Sequence, residues 1–159
     1  MSRLDSFIRR LTAQRDILNH VCADVAAMDG PVIELGLGNG RTFNHLREKL
    51  PGRRIIAFDR ALAAHASSIP PAEDLVLGEI RDMAARFAGC DASLVHADIG
   101  TGYDEKDAVT LAWLPQLVAT LLRQGGLAVS GLPLAQPELQ ALPTPASVRP
   151  GRYFIYRRI

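Results

Sequence analysis

Residues 31–41 read Pro-Val-Ile-Glu-Leu-Gly-Leu-Gly-Asn-Gly-Arg, and the rest of the chain is organised around this segment. Its apolar first half is typical of a short buried strand, and its alternating glycines predict a tight turn, after which residues 42–50 can form a helix. A strand that runs through a glycine-rich turn into a helix is a common way of holding nucleotide-like ligands. Glycine suits such a turn because a ligand can approach the backbone where a Cβ atom would collide. We therefore expect the functional site at this turn.

Strand and helix patterns alternate on both sides of this stretch. The predicted strands are residues 32–35, 54–59, 75–77, 92–97, 127–130 and 152–158, and the predicted helices are residues 4–25, 42–50, 61–68, 80–87 and 105–123. We expect Pro115 to kink the last helix and Gly125-Gly126 to stop it, while the proline-rich residues 131–150 show no assignable pattern. The strand cores are continuous apolar runs, as in parallel strands that are covered on both faces. The sequence therefore predicts an α/β fold, a doubly wound, mostly parallel sheet with helices on both faces.

Length and composition favour a single ordinary domain. The chain has 159 residues, of which 48% are hydrophobic and 22% charged, and one domain commonly has about 100–200 residues. We divide it into an N-terminal helical segment (1–28), a ligand-binding core (30–130) and a C-terminal tail and strand (131–159). The formal net charge of +1 gives no electrostatic support for nucleic acid or a membrane as the main partner.

Cysteine usage and the N-terminus point to a cytoplasmic protein. Cys22 and Cys90 lie in apolar surroundings without Cys-x-x-Cys spacing, so we expect small buried side chains in a reducing compartment. The first residues carry charges without an apolar signal core behind them. The longest uncharged run that can be helical, residues 108–122, is too short to span a bilayer.

Carboxylates follow most of the predicted strands. The residues at or near the five strand ends are Glu34, Asp59, Glu79, Asp98 and Ser130, and four of these five are acidic. Ligands of open α/β sheets bind at the carboxyl ends of the strands, near the point where the strand order reverses. This acidic rim is therefore the main chemical signal of the chain.

The glycine turn does not fit a ligand with phosphates. A dinucleotide fingerprint needs its third glycine where Arg41 stands, and no Gly-Lys-Ser/Thr triplet of a phosphate loop is present. Glu34, two residues before the first glycine, would place negative charge beside a pyrophosphate. Asp59 follows Gly40 by 19 residues and can accept hydrogen bonds from two adjacent ribose hydroxyls. We expect a ligand with a ribose and a cationic amine; an NAD(P)-dependent reductase of the same architecture is an alternative.

These motifs resemble class I S-adenosylmethionine-dependent methyltransferases. The stretch Val-Ile-Glu-Leu-Gly-Leu-Gly-Asn-Gly looks like their first motif, and Asp59, the Gly-Glu-Ile triplet at 78–80, Asp98 and the Gly-Gly-Leu-Ala-Val run at 125–129 resemble the later motifs in the right order. The resemblance covers about residues 30–130, and the whole chain is similar to a small bacterial branch of the family. It implies a Rossmann-like methyltransferase sheet, S-adenosyl-L-methionine as the cofactor, and methyl transfer by direct displacement.

The resemblance also implies a set of cofactor-binding residues. They are Glu34, Leu35, Gly36, Gly38, Asn39, Gly40, Asp59, Arg60, Gly78, Glu79, Ile80 and Asp98. Glu34 and the glycine turn would hold the methionine end of the cofactor, and the backbone near Asp98 would meet its amine. The helix that follows the turn can attract the methionine carboxylate with its N-terminus.

The ribose and the adenine would be held by the second and third strand ends. By the same resemblance, Asp59 would take the ribose hydroxyls and Arg60 would flank the adenine. Glu79 would accept from the adenine amino group, and the backbone N–H of Ile80 would donate to the ring. For Glu79 an alternative is left open, an acid in the first turn of a helix facing the helix dipole.

On the acceptor side, Asp98 and Tyr103 are the candidate catalytic residues. Both lie in Ala-Asp-Ile-Gly-Thr-Gly-Tyr after the fourth strand, and this stretch resembles the one that supplies an aspartate to metal in catechol-type methyltransferases. Those enzymes also need an Asp-Asn pair where this chain has Ser130-Gly131, so we expect no metal. For His96 we expect a satisfied core histidine, with a general base as the alternative. We expect Trp113 in the core.

The acceptor is expected to be a small molecule. Only the N-terminal helix, residues 100–106 and residues 132–150 remain to shape an acceptor pocket, so the pocket is either small or completed by a second subunit in a homo-oligomer. Displacement at a sulfonium needs alignment more than a catalytic side chain. A non-catalytic S-adenosylmethionine sensor or partner subunit is therefore the other alternative.

Overall fold

Seven strands form one sheet in the order β3-β2-β1-β4-β5-β7-β6 in the computed structural model, which describes residues 1–159. The strands are β1 (Val32–Leu35), β2 (Ile55–Asp59), β3 (Leu75–Leu77), β4 (Ala92–Ala97), β5 (Leu122–Ser130), β6 (Leu139–Leu142) and β7 (Phe154–Arg158). The helices are α1 (Arg3–Ala26), α2 (Arg41–Lys49), α3 (Ile80–Ala85), α4 (Asp104–Leu111) and α5 (Leu114–Leu121), with two 3-10 turns at Ala66–Ser68 and Ala72–Asp74. The first five strands are parallel, and β7 pairs antiparallel with both of its neighbours.

Helices cover both faces of the sheet. Consecutive residues of a central strand enter different core clusters, since Val32 belongs to one cluster and Ile33 to the other. The first cluster holds 19 buried residues and is covered by α1 and α2, and the second holds 18 and is covered by α3 and α5. Such double burial explains why the strand cores read as continuous apolar runs. The predicted fold class, doubly wound and mostly parallel, is confirmed.

Helix α1 is longer than the core that it covers. A capping box starts it, in which the Ser2 hydroxyl accepts from the Asp5 backbone and the Asp5 side chain accepts from the Ser2 backbone. Its buried residues begin at Ala13, and Leu4, Phe7 and Ile8 are exposed. The helix predicted over residues 4–25 therefore packs on the body mainly in its second half. None of the helices in the structure combines the length and apolar character of a membrane span.

The prediction of one continuous helix over residues 105–123 is wrong. The structure has two helices, α4 and α5, separated at Ala112 and Trp113. Pro115 lies in the first turn of α5, where its missing N–H costs nothing, so proline favours a new helix start rather than a kink. Strand β5 then begins at once, and Gly125 and Gly126 lie inside it. There the register with β4 shifts and Gly125 has a φ of +80°, so the glycine pair forms an irregularity in a strand and does not stop the helix.

Two further segments differ from the prediction. Residues 61–68 contain only the 3-10 turn at its end, without an α-helix. The proline-rich tail contains β6, an edge strand that pairs with β7. Its sequence Leu-Gln-Ala-Leu has little strand character of its own, and its place at the sheet edge depends on the long-range partner β7.

Within α1, burial alone separates two leucines. Leu18 is fully buried, whereas Leu4 is 65% exposed. We expect Leu18→Ala to lower the free energy of unfolding by about 2–5 kcal/mol, since a buried leucine leaves a cavity. Leu4→Ala should change it by no more than about 0.5 kcal/mol. Urea unfolding of both variants measures this, and equal losses would show that the first half of α1 packs on the body.

Candidate functional site

An open cleft of about 880 Å³ lies at the carboxyl ends of β1, β2 and β4. The chain moves outward from β1 to β2 and β3 and then returns to place β4 on the other side of β1, so the strand order reverses beside β1. Crevices at such a reversal are the usual ligand sites of doubly wound sheets. The walls come from the turn after β1, the ends of β2 and β4, the start of α3, and parts of α1 and α4.

The turn after β1 requires glycine for two reasons. Gly36 has a φ of +89°, and a Cβ atom on it would lie 2.6 Å from Ile99 Cγ2 and 3.1 Å from the Asp98 carbonyl oxygen. Gly40 has a φ of +86°, and a Cβ atom there would lie 2.7 Å from Ser68 Cβ. Both conformations favour glycine, and both positions leave no room for a larger residue. The turn is thus fixed between the segments that follow β4 and β2.

Asp59 holds this turn in place. Its Oδ2 atom accepts from the Gly38 backbone N–H at 2.8 Å, and its Oδ1 atom accepts from the Arg60 N–H at 2.7 Å. Each carboxylate oxygen can accept a second hydrogen bond, so the group keeps capacity for hydroxyls of a ligand. Asp59, Gly38 and Arg60 all line the cleft.

Glu79 and Ile80 bring the start of α3 to the same cleft. The Arg60 guanidinium lies 3.3 Å from Glu79 Oε2, and both side chains are largely exposed, so the pair contributes little to stability. Ile80 is the first residue of α3, and its backbone N–H therefore has no partner within the helix. A carboxylate and a free N–H stand side by side at this end of the cleft.

Asp98 is held by a residue of α1 that the sequence analysis did not assign to the site. Gln14 is buried and donates its side-chain amide to Asp98 Oδ2 at 2.5 Å. Arg10 and Leu11 of the same helix also line the cleft. The available signal was the spacing of residues 11, 14 and 18, which puts Gln14 on the apolar side of α1 between Leu11 and Leu18.

Four residues expected at the site do not line the cleft. They are Glu34, Leu35, Gly78 and Tyr103. Leu35 is fully buried in the core, and Tyr103 is 67% exposed at the start of α4. The other expected residues, Gly36, Gly38, Asn39, Gly40, Asp59, Arg60, Glu79, Ile80 and Asp98, are brought together around one space. Trp113, expected in the core, packs on the second core cluster and also lines the cleft.

Glu34 lies behind the glycine turn and is fully buried. Its Oε1 atom accepts from the Thr42 hydroxyl at 2.6 Å and pairs with His96 Nδ1 at 3.0 Å. Glu34 Oε2 and His96 Nε2 have no hydrogen-bond partner. Thr42, unlike Glu34, lines the cleft. The acid therefore acts on the site through Thr42, and His96 is a core histidine with one of its two nitrogens paired.

The protonation of His96 depends on this contact. Burial lowers the pKa of His96, but the Glu34 carboxylate, its hydrogen bond and the nearby Asp98 together raise that pKa above its ordinary value. Together these neighbours favour the protonated imidazole more than the surroundings of a free histidine do. The structure has no group of three or more His, Cys, Asp or Glu side chains arranged as they would be around a metal ion.

Comparisons with known proteins agree on one family. A family model described as S-adenosyl-L-methionine methyltransferase matches residues 1–158. An S-adenosyl-L-methionine methyl transferase from Silicibacter pomeroyi DSS-3 is 46% identical to this chain, with a TM-score of 0.90 over 99% of both chains. A search of curated proteins by sequence found no match.

Two more distant structures share the fold. The antibiotic-resistance methyltransferase Kmr is 15% identical, with a TM-score of 0.57 over 86% of this chain and 90% of that chain. A variant of the 16S rRNA (adenine(1408)-N(1))-methyltransferase from Catenulisporales acidiphilia is 15% identical, with a TM-score of 0.54 over 88% of this chain and 93% of that one. At this identity the likeness concerns the fold alone.

The His96–Glu34 pair makes stability depend on pH. Because the pKa of His96 is raised on folding, its contribution is full below the unfolded value of about 6.5 and is lost as the pH rises through the folded value. The gap in unfolding free energy between the wild type and His96→Gln should therefore shrink as the pH rises. Urea unfolding between neutral and alkaline pH measures this gap.

Glu34→Gln provides a second variant for the same test. Removing the carboxylate leaves burial as the main influence on His96, which lowers the pKa and should reverse the pH dependence relative to the wild type. His45, whose pKa is lowered mainly by burial, contributes equally to all three proteins. Parallel stability curves for the three proteins would refute a charged pair.

Proposed function

The chain belongs to the S-adenosyl-L-methionine methyltransferase family, and from this premise we propose that it methylates a small molecule bound beside Asp98. The observation that carries the proposal is that one cleft unites the glycine turn, Asp59 and the start of α3. Its volume of about 880 Å³ falls near the upper end of the roughly 300–1,000 Å³ of small-molecule sites. A cofactor and a modest acceptor can share such a space.

We assign the nucleoside part of the cofactor to the ends of β2 and β3. Asp59 would accept from the ribose hydroxyls with the capacity that its two backbone hydrogen bonds leave free. Glu79 would accept from the adenine amino group, and the unpaired N–H of Ile80 would donate to a ring nitrogen. Arg60, which pairs with Glu79, would flank the adenine, and Gly78 gives the chain its bend before α3 with a φ of +142°.

The methionine part is assigned to the turn after β1. Gly38, Asn39 and Gly40 precede α2, whose N-terminus attracts a carboxylate. The Thr42 hydroxyl donates its hydrogen to Glu34, so its lone pairs remain for an ammonium group in the cleft. Glu34 therefore supports the amine through Thr42 rather than by contact. These groups suit a zwitterion, because the start of α2 attracts its carboxylate and the Thr42 hydroxyl oxygen can accept from its ammonium group.

The cofactor, when bound, would supply a methyl group carried on a sulfonium, and transfer of that methyl group leaves a neutral thioether. The protein then has to align the acceptor and receive its proton. Asp98 is the residue for that proton, because its carboxylate lines the cleft and is oriented by Gln14. A catalytic role for Tyr103, which lies outside the cleft and is largely exposed, requires an acceptor that extends past the rim.

A small acceptor fits the charge of the chain better than a nucleic acid. The formal net charge is +1, and a nucleic-acid surface normally shows a strong basic excess.

We propose likewise that residues 1–159 act as one methyltransferase domain, since the family model spans residues 1–158. The acceptor pocket is formed either by one chain alone or with a second subunit of a homo-oligomer. Sedimentation in the presence of the cofactor distinguishes a monomer from a homo-oligomer.

Asp59→Ala tests the cofactor site. The variant loses both the proposed ribose contacts and the hydrogen bond to Gly38, so we expect the dissociation constant of S-adenosylmethionine to rise at least about tenfold, or 1.4 kcal/mol. Asp24→Ala is the matched control, because Asp24 is an exposed acid on α1 that does not line the cleft. Calorimetric titration measures both affinities on proteins whose circular dichroism spectra match that of the wild type.

The same protein distinguishes the alternatives for function. S-Adenosylmethionine and S-adenosylhomocysteine should raise the melting temperature, and NAD(P) should leave it unchanged. Release of S-adenosylhomocysteine in the presence of small acceptors separates a methyltransferase from a non-catalytic sensor. Unchanged affinity in Asp59→Ala would remove this residue from the site, and stabilisation by NAD(P) alone would overturn the proposal.

A further inference from the structure

The Asp98 end of the cleft carries an unpaired positive charge. Arg10 precedes Gln14 by one helical turn, so the two side chains lie on the same face of α1. Both line the cleft, and Gln14 reaches Asp98. Arg10 therefore stands about one helical turn, or roughly 6 Å, from the residue that orients the proposed proton acceptor.

The Arg10 guanidinium has no carboxylate within 4.0 Å, and none of the salt bridges in the structure involves it. Its only specific contact is with the ring of Phe7, whose centroid lies 5.6 Å away. A cation over an aromatic face keeps its N–H groups free to donate. Asp98, the acid at this end, is already bound by Gln14. The positive charge of Arg10 is thus available to a ligand.

Tyr153 lies near Asp98, since a Cβ atom on Gly131 would be 3.6 Å from Tyr153 Cε1 and 3.7 Å from Asp98 Oδ1. Burial and the Asp98 carboxylate raise the pKa of Tyr153 far above its ordinary value, while Arg10, Arg152 and a hydrogen bond with Gln14 partly offset this rise. Arg152, like Arg10, has no salt-bridge partner.

We propose that the acceptor is an anion, a carboxylate or a phosphate compound, and that Arg10 binds its charged group. This rests on the proposed function, because it concerns the acceptor half of the same cleft. A guanidinium matches a carboxylate or phosphate with two parallel hydrogen bonds. The anionic group would lie at Arg10 and the nucleophile would face Asp98, the two residues that line this end of the cleft. An uncharged acceptor would leave the Arg10 guanidinium without an anionic partner.

The test uses the full chain saturated with S-adenosylhomocysteine and two probes, acetate and inorganic phosphate, at constant ionic strength, since added salt screens charges. We expect a probe to bind in the millimolar range by calorimetry, and Arg10→Gln to weaken that binding at least about tenfold. Arg9→Gln is the control, because Arg9 is the exposed neighbour outside the cleft lining. The probe that binds more tightly identifies a carboxylate or a phosphate as the recognised group.

Each outcome decides between defined alternatives. Failure of S-adenosylhomocysteine to bind would count against the proposed function itself. If S-adenosylhomocysteine binds but neither probe does, or if Arg9→Gln and Arg10→Gln weaken the probe equally, the anionic acceptor is refuted and the cofactor site stands. A loss of S-adenosylhomocysteine affinity in Arg10→Gln without loss of probe binding would reassign Arg10 to the methionine carboxylate and would also refute the proposal.

Discussion

The hydrogen bond from the Gly38 N–H to the Asp59 carboxylate is the contact on which the candidate site depends. Two further backbone groups of the same turn, the N–H groups of Gly36 and Leu37, donate to the Phe58 carbonyl at 2.9 and 3.1 Å. These bonds fasten the turn after β1 to the end of β2. Because one carboxylate both fixes the turn and faces the cleft, the shape of the turn and the position of the proposed ribose ligand cannot change independently.

The parts of the site that the sequence predicts are those that local rules determine. Glycine conformation at Gly36 and Gly40 and the strand-end position of Asp59 follow from a stretch of about thirty residues, and the structure has them as expected. Gln14 belongs to another class. Its hydrogen bond to Asp98 joins residues 84 positions apart. The sequence pattern of α1 does not predict the partner of this polar side chain.

Glu34 shows that the position of a residue in a sequence motif does not determine where its side chain points. Its position in the chain suggests a side chain at the cleft, yet on a strand covered on both faces a side chain can point only into a core. The carboxylate is tolerated there because His96 from β4 and Thr42 from α2 meet it. Neither partner is adjacent in sequence, so the pairing is a result of topology. The same reasoning applies to β6, whose existence depends on β7.

The buried pair also bears on how an acid can lie under a turn that we propose to bind the methionine carboxylate. A lone carboxylate beneath the start of α2 would repel the carboxylate of a ligand, and burying it without a partner would be costly. The raised pKa of His96 favours a proton on the imidazole, which would offset the negative charge of Glu34. Thr42, which donates to Glu34, is the member of this network that lines the cleft. At the glycine turn the cleft is lined by the start of α2, including Arg41, while the free guanidinium of Arg10 lies on α1 on the Asp98 side. Under the two proposals, the zwitterionic cofactor and the charged group of the acceptor are recognised by different residues of one cleft, so the cleft can hold the cofactor and still discriminate among acceptors by charge.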